Sequence, residues 1–339
     1  MTLSILAIGD SYLPATDMAR ALESLADLGT VRYETVDIDD RPQLEGVHEY
    51  QGSPEAVHGW LRDGDDVLVV HAAPITREVL QAHPSVKLVA CVRGGAVNID
   101  LAAAKELGVT VVNTPAKNAI SVADLTMTFV HALFRGVGPS TTWLRAQSAA
   151  GETHLDSTFI GGQWIAAEPR GATLGLLGFG AIGQRVAAQA KFYGMRVLAF
   201  DPFFTGQSDL ADLVTLEQLA AESDVVSVHA KETPETRHIV GAPFIARMKK
   251  GAYIVNTARQ SLLDEAALLS ALESGAVGGA ALDVAEPDGL WPQLVQRANV
   301  IMSPHLGGAT RQTQERGLEM VVADIRRFEA GDPVVNRIA

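Results

Sequence analysis

Cysteine is nearly absent from this chain: Cys91 is the only one among 339 residues. A single thiol makes no intrachain disulfide and no cysteine-based zinc site. Positive charge is also scarce, with 27 lysines and arginines against 40 aspartates and glutamates, a net charge of −13. Binding to phosphate polymers or anionic lipid needs a basic face, so neither nucleic acid nor a membrane surface is an expected partner. No apolar run approaches the ~20 residues that span a bilayer. Met1 to Asp10 reads as a short strand, without the basic start and cleavage site of a leader. The expectation is a soluble, cytoplasmic protein that holds no metal. What is present suffices for a folded enzyme: 47% of residues are apolar, and the length allows about two domains.

The first third alternates strand-like runs (Leu3–Ile8, Val67–Val70, Val86–Ala90, Thr110–Val112) with helix-like ones (Ala15–Leu28, Thr76–Gln81, Leu101–Leu107). Such βα alternation predicts a parallel sheet. Asn118–Arg135 reads as a long, mostly apolar connecting helix, and Gln147–Arg170 as a polar surface excursion. Alternation then resumes with runs at Ala172–Leu177, Met195–Phe200, Val225–Val228, Tyr253–Val255, Gly279–Leu282 and Val300–Met302. Six strands with intervening helices make a full doubly wound sheet. A last helix, Thr310–Phe328, follows the second sheet and is expected to return to the first.

Between the first two of those later strands lies Gly178-Phe179-Gly180-Ala181-Ile182-Gly183. Glycines there allow a tight turn and a close backbone approach to a pyrophosphate. The following helix presents free N–H groups and a positive dipole end. Asp201 ends the next strand, 18 residues past Gly183, near the spacing at which a carboxylate accepts from a ribose hydroxyl. Strand, glycine turn, helix, strand and acid in register predict a dinucleotide site. The fold class expected is therefore α/β with two doubly wound parallel-sheet domains. A Rossmann nucleotide-binding domain (116–306) is inserted in a flavodoxin-like outer domain (1–115 plus 307–339). The cleft between them is the expected meeting place of substrate and cofactor.

Ligands of such sheets bind beyond the strand carboxyl ends. Three of those ends carry Asn256-Thr257-Ala258-Arg259, Asp283-Val284-Ala285-Glu286-Pro287-Asp288 and Ser303-Pro304-His305-Leu306-Gly307-Gly308. An arginine, a carboxylate and a histidine suit hydride transfer to a carbonyl. Histidine, with an ordinary pKa of about 6.5, can donate the proton, and a neighbouring acid would keep it charged. Arg259 can grip a substrate carboxylate in a two-pronged pair. The implied substrate is a 2-oxo acid, or a 2-hydroxy acid in reverse. Each residue also has a plainer role: His305 as a surface histidine, Arg259 as a salt-bridge arginine, Glu286 and Asp288 as loop carboxylates.

From about Val86 to Arg311 the sequence resembles the D-2-hydroxyacid dehydrogenase family, the group of D-3-phosphoglycerate dehydrogenase and the glyoxylate/hydroxypyruvate reductases. The matching stretches are Val111–Pro115, the 178–183 turn with Asp201-Pro202, Thr233–Arg237, Met248–Ala252, Asn256–Arg259, Ala280–Val284 and Pro304–Gly308. The resemblance implies a catalytic Arg, Glu and His, with Arg259 and His305 matching by motif. It implies that Asp283 meets the nicotinamide carboxamide and that the backbone at Ala181-Ile182 faces the pyrophosphate. Thr257, Ala258, Gly307 and Gly308 would line the nicotinamide end. The Val92–Asn98 loop, with Arg93, Gly94 and Gly95, resembles the segment whose amides hold the substrate carboxylate. A homodimer is implied as well.

Departures from the family pattern are specific. Ala181 stands where an arginine is usual, and Gln260 where a glycine usually follows the catalytic arginine. For the acid, spacing from Arg259 and Asp283 favours Asp288, whereas residue type and the following proline favour Glu286. A phosphoglycerate member would have basic residues near the end of the third outer strand, where this chain has His71; Arg93 can supply one distal charge or pin its loop by a salt bridge. With only a short tail after the last helix, a serine-sensing regulatory domain is not expected. Asp201 predicts NAD rather than NADP, because a carboxylate repels a 2′-phosphate. The alternatives are a phosphoglycerate dehydrogenase specifically, a dinucleotide-sensing protein of the corepressor type, or formate oxidation, which the acid near His305 disfavours.

Overall fold

The computed structural model describes residues 2–38, 44–155 and 159–339. Met1 of the first strand-like run and residues 156–158 of the expected surface excursion lie outside them. The chain forms two compact units, Met1–Asn118 with Ala309–Ala339, and Ala119–Gly308.

In the first unit, β1 (Leu3–Gly9), β2 (Gly29–Thr35), β3 (Val67–Val70), β4 (Leu88–Cys91) and β5 (Thr110–Val112) form an all-parallel sheet, ordered β2-β1-β3-β4-β5. β3 and β4 are buried at every position, as continuous apolar runs in a sheet covered on both faces should be. β2 was not expected, because its sequence GTVRYET is polar and only half-buried. It is an edge strand, held partly through Arg32, which donates to Asp65 at 2.5 Å. The helix Pro54–Trp60 also lacks an apolar period; Ser53 caps it and proline occupies its first turn. The expected helix at 15–28 is α-helical only over Ala15–Leu22 and tightens into a 3₁₀ turn at Glu23–Leu25.

The C-terminal helix Arg311–Ala330 starts at Thr310, whose side chain accepts from Thr313 N–H, and stops at Gly331 with φ 75°. Its apolar residues pack within this unit. Leu318, Val321 and Ile325 join Ile5, Ala7 and Leu88 in one core cluster, while Leu6, Val70 and Val89 belong to the cluster on the opposite side.

In the second unit the parallel strands β6 (Thr173–Leu177), β7 (Arg196–Phe200), β8 (Asp212–Leu213), β9 (Val225–Val228), β10 (Ala252–Asn256), β11 (Val277–Leu282) and β12 (Val300–Met302) are ordered β12-β11-β10-β9-β6-β7-β8. This is the doubly wound order, with the chain reversing direction across the sheet between β6 and β9. The seventh strand is β8, two exposed residues at the edge with no apolar signal of their own. The helix Ala119–Phe134 buries Met127, Val130 and Leu133 in the core that contains Leu174, Val197 and Val255.

Val137–Ala149, unexpected from the sequence, is a helix that buries no residue. No single described helix is long and apolar enough to cross a membrane. Only that helix and its predecessor taken together have the composition, and they bend by 65° at their junction.

Candidate active site

The glycine turn after β6 uses each of its glycines differently. Gly178 has φ 101°, and a Cβ there would lie 2.6 Å from the carbonyl carbon of His229. At Gly183 a Cβ would sit 2.4 Å from the carbonyl oxygen of Gly178, so this glycine lets the helix Ala181–Phe192 pack onto its own entry turn. Gly180 faces open space. The first bond of this helix runs from Gln184 N–H to Gly180 O, 3.0 Å. Among the described residues, no acceptor meets the N–H groups of Ala181, Ile182 and Gly183. Unpaired first-turn donors over a glycine-lined opening fit the pyrophosphate of a dinucleotide.

Asp201, just beyond β7, fixes this turn: one carboxylate oxygen accepts from Phe179 N–H at 2.8 Å, the other from Phe203 N–H at 2.9 Å. Ala181 is exposed and has no side chain that could reach an anion, so the turn offers backbone donors alone at this position.

β10, β11 and β12 are neighbours in the sheet. Their carboxyl ends therefore stand about 5 Å apart, and this is what gathers the three sequence motifs. After β10, buried Asn256 accepts from Ala258 N–H at 3.0 Å and donates to Arg259 O at 2.8 Å. These bonds fix the backbone of Arg259, whose Nη1 also donates to Ala258 O at 2.9 Å. Thr257 shares a hydroxyl contact of 3.1 Å with Thr126.

After β11, buried Asp283 binds both sides of the His305 turn. It accepts from Ser303 Oγ at 2.5 Å, Leu306 N–H at 2.7 Å and Gly307 N–H at 2.6 Å. Gly307 permits this approach, since a Cβ there would stand 2.9 Å from the Asp283 carboxylate. Held from both flanks, His305 takes φ 59°, a left-handed conformation rare for a side-chain-bearing residue, and lies exposed. Strain of this kind persists only where neighbours over-determine it. Gly308 follows, half-buried, as the last residue of this unit.

The two candidate acids lie elsewhere. Glu286 N–H donates to Gln260 Oε1 at 2.8 Å; Gln260 Nε2 donates to Glu265, which also accepts from Leu290 N–H at 2.6 Å. Gln260 thereby fastens the loop that carries both acids. Glu286 and Asp288 line a cavity of about 390 Å³ together with Arg237, His238 and Gln260. Among the described residues no hydrogen bond or ion pair joins either acid to His305. Missed by the sequence reading were the fastening roles of Asn256, Asp283 and Gln260, together with His229 at the end of β9. Burial pushes the His229 imidazole down to about 4, and it bonds Ser227 Oγ at 2.9 Å.

The five-stranded unit has its own polar edge. At the point where its strand order reverses, Asp10 follows β1 and His71 follows β3, their side chains 2.9 Å apart, with His71 stacked on Tyr12. Burial raises the Asp10 carboxyl, but the bonds from His71, Leu13 and Tyr12 outweigh it and hold the group below its ordinary value. Burial likewise pushes His71 down, with Asp10 opposing.

Beyond β4 the 92–98 loop turns its carbonyls inward. Those of Val92, Arg93, Gly94 and Val97 accept from Lys117 Nζ, Thr114 N–H, Asn113 Nδ2 and His48 N–H respectively. Among the described residues the N–H groups of exposed Gly94 and Gly95 meet no acceptor. Two unpaired, exposed amides on a loop whose neighbouring carbonyls are bonded are chemically suited to an anion. The Arg93 guanidinium is taken up by Glu49, through its carbonyl at 2.7 Å and its carboxylate, so of the two roles open to that side chain the structure displays the loop-pinning one.

Known proteins bear on these arrangements. The family model described as D-isomer specific 2-hydroxyacid dehydrogenase, NAD binding domain, matches residues 127–307. The hydroxypyruvate reductase of Thermotoga maritima is 40% identical over 263 residues, covering 76% of this chain and 82% of that protein. The D-3-phosphoglycerate dehydrogenase of Methanocaldococcus jannaschii is 35% identical over 286 residues, 81% of this chain. The chain spans only about half of that longer relative, 52% of its length. Among solved structures, a glyoxylate reductase from Paecilomyes thermophila superposes with a TM-score of 0.77 at 28% identity, covering 100% of this chain and 99% of that one.

Proposed function

The chain belongs to the D-isomer specific 2-hydroxyacid dehydrogenase family, and from that premise we propose that it is an NAD-dependent reductase of small 2-oxo acids. The carrying observation is the His305 turn, a strained and exposed histidine fastened on both sides by Asp283. When bound, the nicotinamide supplies the hydride that reduces the carbonyl carbon. His305 supplies the proton that the carbonyl oxygen takes up, so a 2-oxo acid becomes a 2-hydroxy acid for one hydride and one proton. Arg259 grips the substrate carboxylate and polarises the carbonyl. Gly94 and Gly95 offer amides to the carboxylate. The first-turn amides of Ala181 and Ile182 bind the pyrophosphate, and Asp201 receives a ribose hydroxyl. Thr257, Ala258, Gly307, Gly308 and Asp283 serve the nicotinamide end. Engagement of Arg93 by Glu49 argues for substrates without a distal phosphate. Asp288 or Glu286 acts as the acid partner of His305 once the loop held by Gln260 rearranges. By family, the protein acts as a homodimer.

The test is reduction at 340 nm of glyoxylate, hydroxypyruvate, phosphohydroxypyruvate and pyruvate with NADH or NADPH. Turnover of an unphosphorylated 2-oxo acid with kcat/KM favouring NADH is expected. A preference for NADPH would overturn the role of Asp201, and silence with every acid would overturn the reaction.

A further inference from the structure

Lys117 is a buried lysine whose ammonium, among the described residues, bonds a neutral partner, the carbonyl of Val92, at 2.5 Å. The fold makes room for it deliberately. Gly317 sits inside the 20-residue helix Arg311–Ala330, where glycine costs about 1 kcal/mol relative to alanine. A Cβ there would come within 2.8 Å of Lys117 Cδ and 2.9 Å of Val92 Cγ1. The next residue back, Arg316, donates from Nε to Lys117 O at 2.9 Å, fixing the backbone of the lysine. Stem, backbone and head are therefore all held, and the head is held against the carbonyl that opens the Arg93-Gly94-Gly95 loop.

We propose that Lys117 is the charge beneath the carboxylate-binding nest: it turns the Val92 carbonyl inward, so that the Gly94 and Gly95 amides face outward, and its ammonium balances the bound anion. This rests on the reading of that loop as the substrate-carboxylate site. Among the described residues no carboxylate bonds the ammonium, and Asp10 attracts it only through space; an anion in the nest would add the close partner it lacks. The ionisable groups around it are Asp10 after β1, His71 after β3, Cys91 and Arg93 at β4, and Arg316 on the helix. Arg93 is paired with Glu49; Asp10 is hydrogen-bonded by His71 and three N–H groups, keeps its charge, and attracts Lys117 without bonding it. Burial, the largest influence, pushes Lys117 down to about 8.

Two consequences separate this role from a structural one. Lys117→Met keeps the stem and removes the charge, so KM for the 2-oxo acid should rise at least about tenfold at pH 7, with a smaller change in kcat. In the native enzyme KM should climb about fivefold between pH 8 and 9, as the protonated fraction of Lys117 falls from about a half to about a tenth. Lys117→Arg should keep the low KM and abolish that climb. If Lys117→Met fails to fold, Gly317→Ala, which displaces the lysine stem and leaves the charge, should also raise KM. Oxalate, a dianion, serves as a probe independent of turnover: it should raise the melting temperature of the native protein and not of Lys117→Met. An unchanged KM and pH profile in Lys117→Met, with equal stabilisation by oxalate, would overturn the proposal. Oxalate stabilisation that depends on Lys117, without turnover of any 2-oxo acid, would overturn the reaction and leave the nest standing.

Discussion

The two sheets of this protein finish their carboxyl edges in opposite ways. On the seven-stranded sheet, the polar side chains at the strand ends serve as fasteners. Asp201 accepts from Phe179 and Phe203, Asn256 binds around Arg259, and Asp283 takes three donors around His305. Each of these carboxylates and the amide is satisfied locally, and among the described residues the first-turn amides and the exposed histidine are left unpaired, as suits a ligand. At the five-stranded edge the nest is also built from backbone, but a charged lysine is buried behind it and is met by a carbonyl rather than a carboxylate. One edge satisfies its polar side chains without ligand; at the other, on our proposal, the lysine gains its close partner only when an anion arrives. The lesson is that preorganisation comes either from satisfied hydrogen bonds, which stabilise the fold, or from a buried charge without a close partner, which costs stability until the ligand binds.

The largest expected effect breaks the first edge. His305→Ala should lower kcat by ~10²–10⁴ through loss of general acid catalysis, with little change in the melting temperature because the side chain is exposed. Asp283→Ala should do both kinds of damage. It leaves the Leu306 and Gly307 amides without acceptors, at about 1–3 kcal/mol each. It also lets the His305 turn drift, for which a displacement of about 1 Å costs ~10²-fold in rate. A drop in kcat without loss of stability in Asp283→Ala would show that its bonds do not fasten the turn.

A next, smaller effect sharpens the second edge. The folded-state pKa of Lys117, about 8, lies below the ordinary 10.5, so the unfolded chain binds the proton more readily. Stability is lost as pH falls from about 10.5 to 8, and the full penalty, on the order of 3 kcal/mol, is present at pH 7. Lys117→Met should therefore raise the melting temperature of the ligand-free protein at pH 7 and have little effect near pH 11. A lower melting temperature at pH 7 would mean that the ammonium–carbonyl bond stabilises the fold.

The smallest effect belongs to neither edge alone. Burial pushes His229 down to about 4 and also pushes His71 and His83 down, so the fold disfavours their charged forms. Unfolded histidines take up protons first, so stability should fall as pH drops from about 6.5 to 4. Urea denaturation at pH 7 and pH 4.5 measures this, and His229→Gln should show a shallower acid slope.

Much of this molecule is written in local sequence. Buried strands such as VLVV and TLGLL, the glycine turn with Asp201, and the motifs around Arg259 and His305 are signals within a few residues of one another. Elements without such a signal were not legible: β2 and β8 are half-exposed or exposed edges, and Val137–Ala149 buries nothing. The acid question has the same origin. Spacing and residue type choose between Asp288 and Glu286 only on paper, whereas the bond from Glu286 N–H to Gln260, 26 residues away, sets where that loop stands.

The sequence by itself determined the α/β class, the dinucleotide turn and the types of side chain at the strand ends, because period, glycine placement and spacing are properties of neighbouring residues. Only the tertiary structure decided that Asp283 fastens the His305 turn across 23 and 24 residues, and that Lys117 is buried against Val92 beside a helix nearly 200 residues further on. Those are pairings between distant segments. Burial, which sets the cost of a charge and the worth of a hydrogen bond, exists only after the chain has packed.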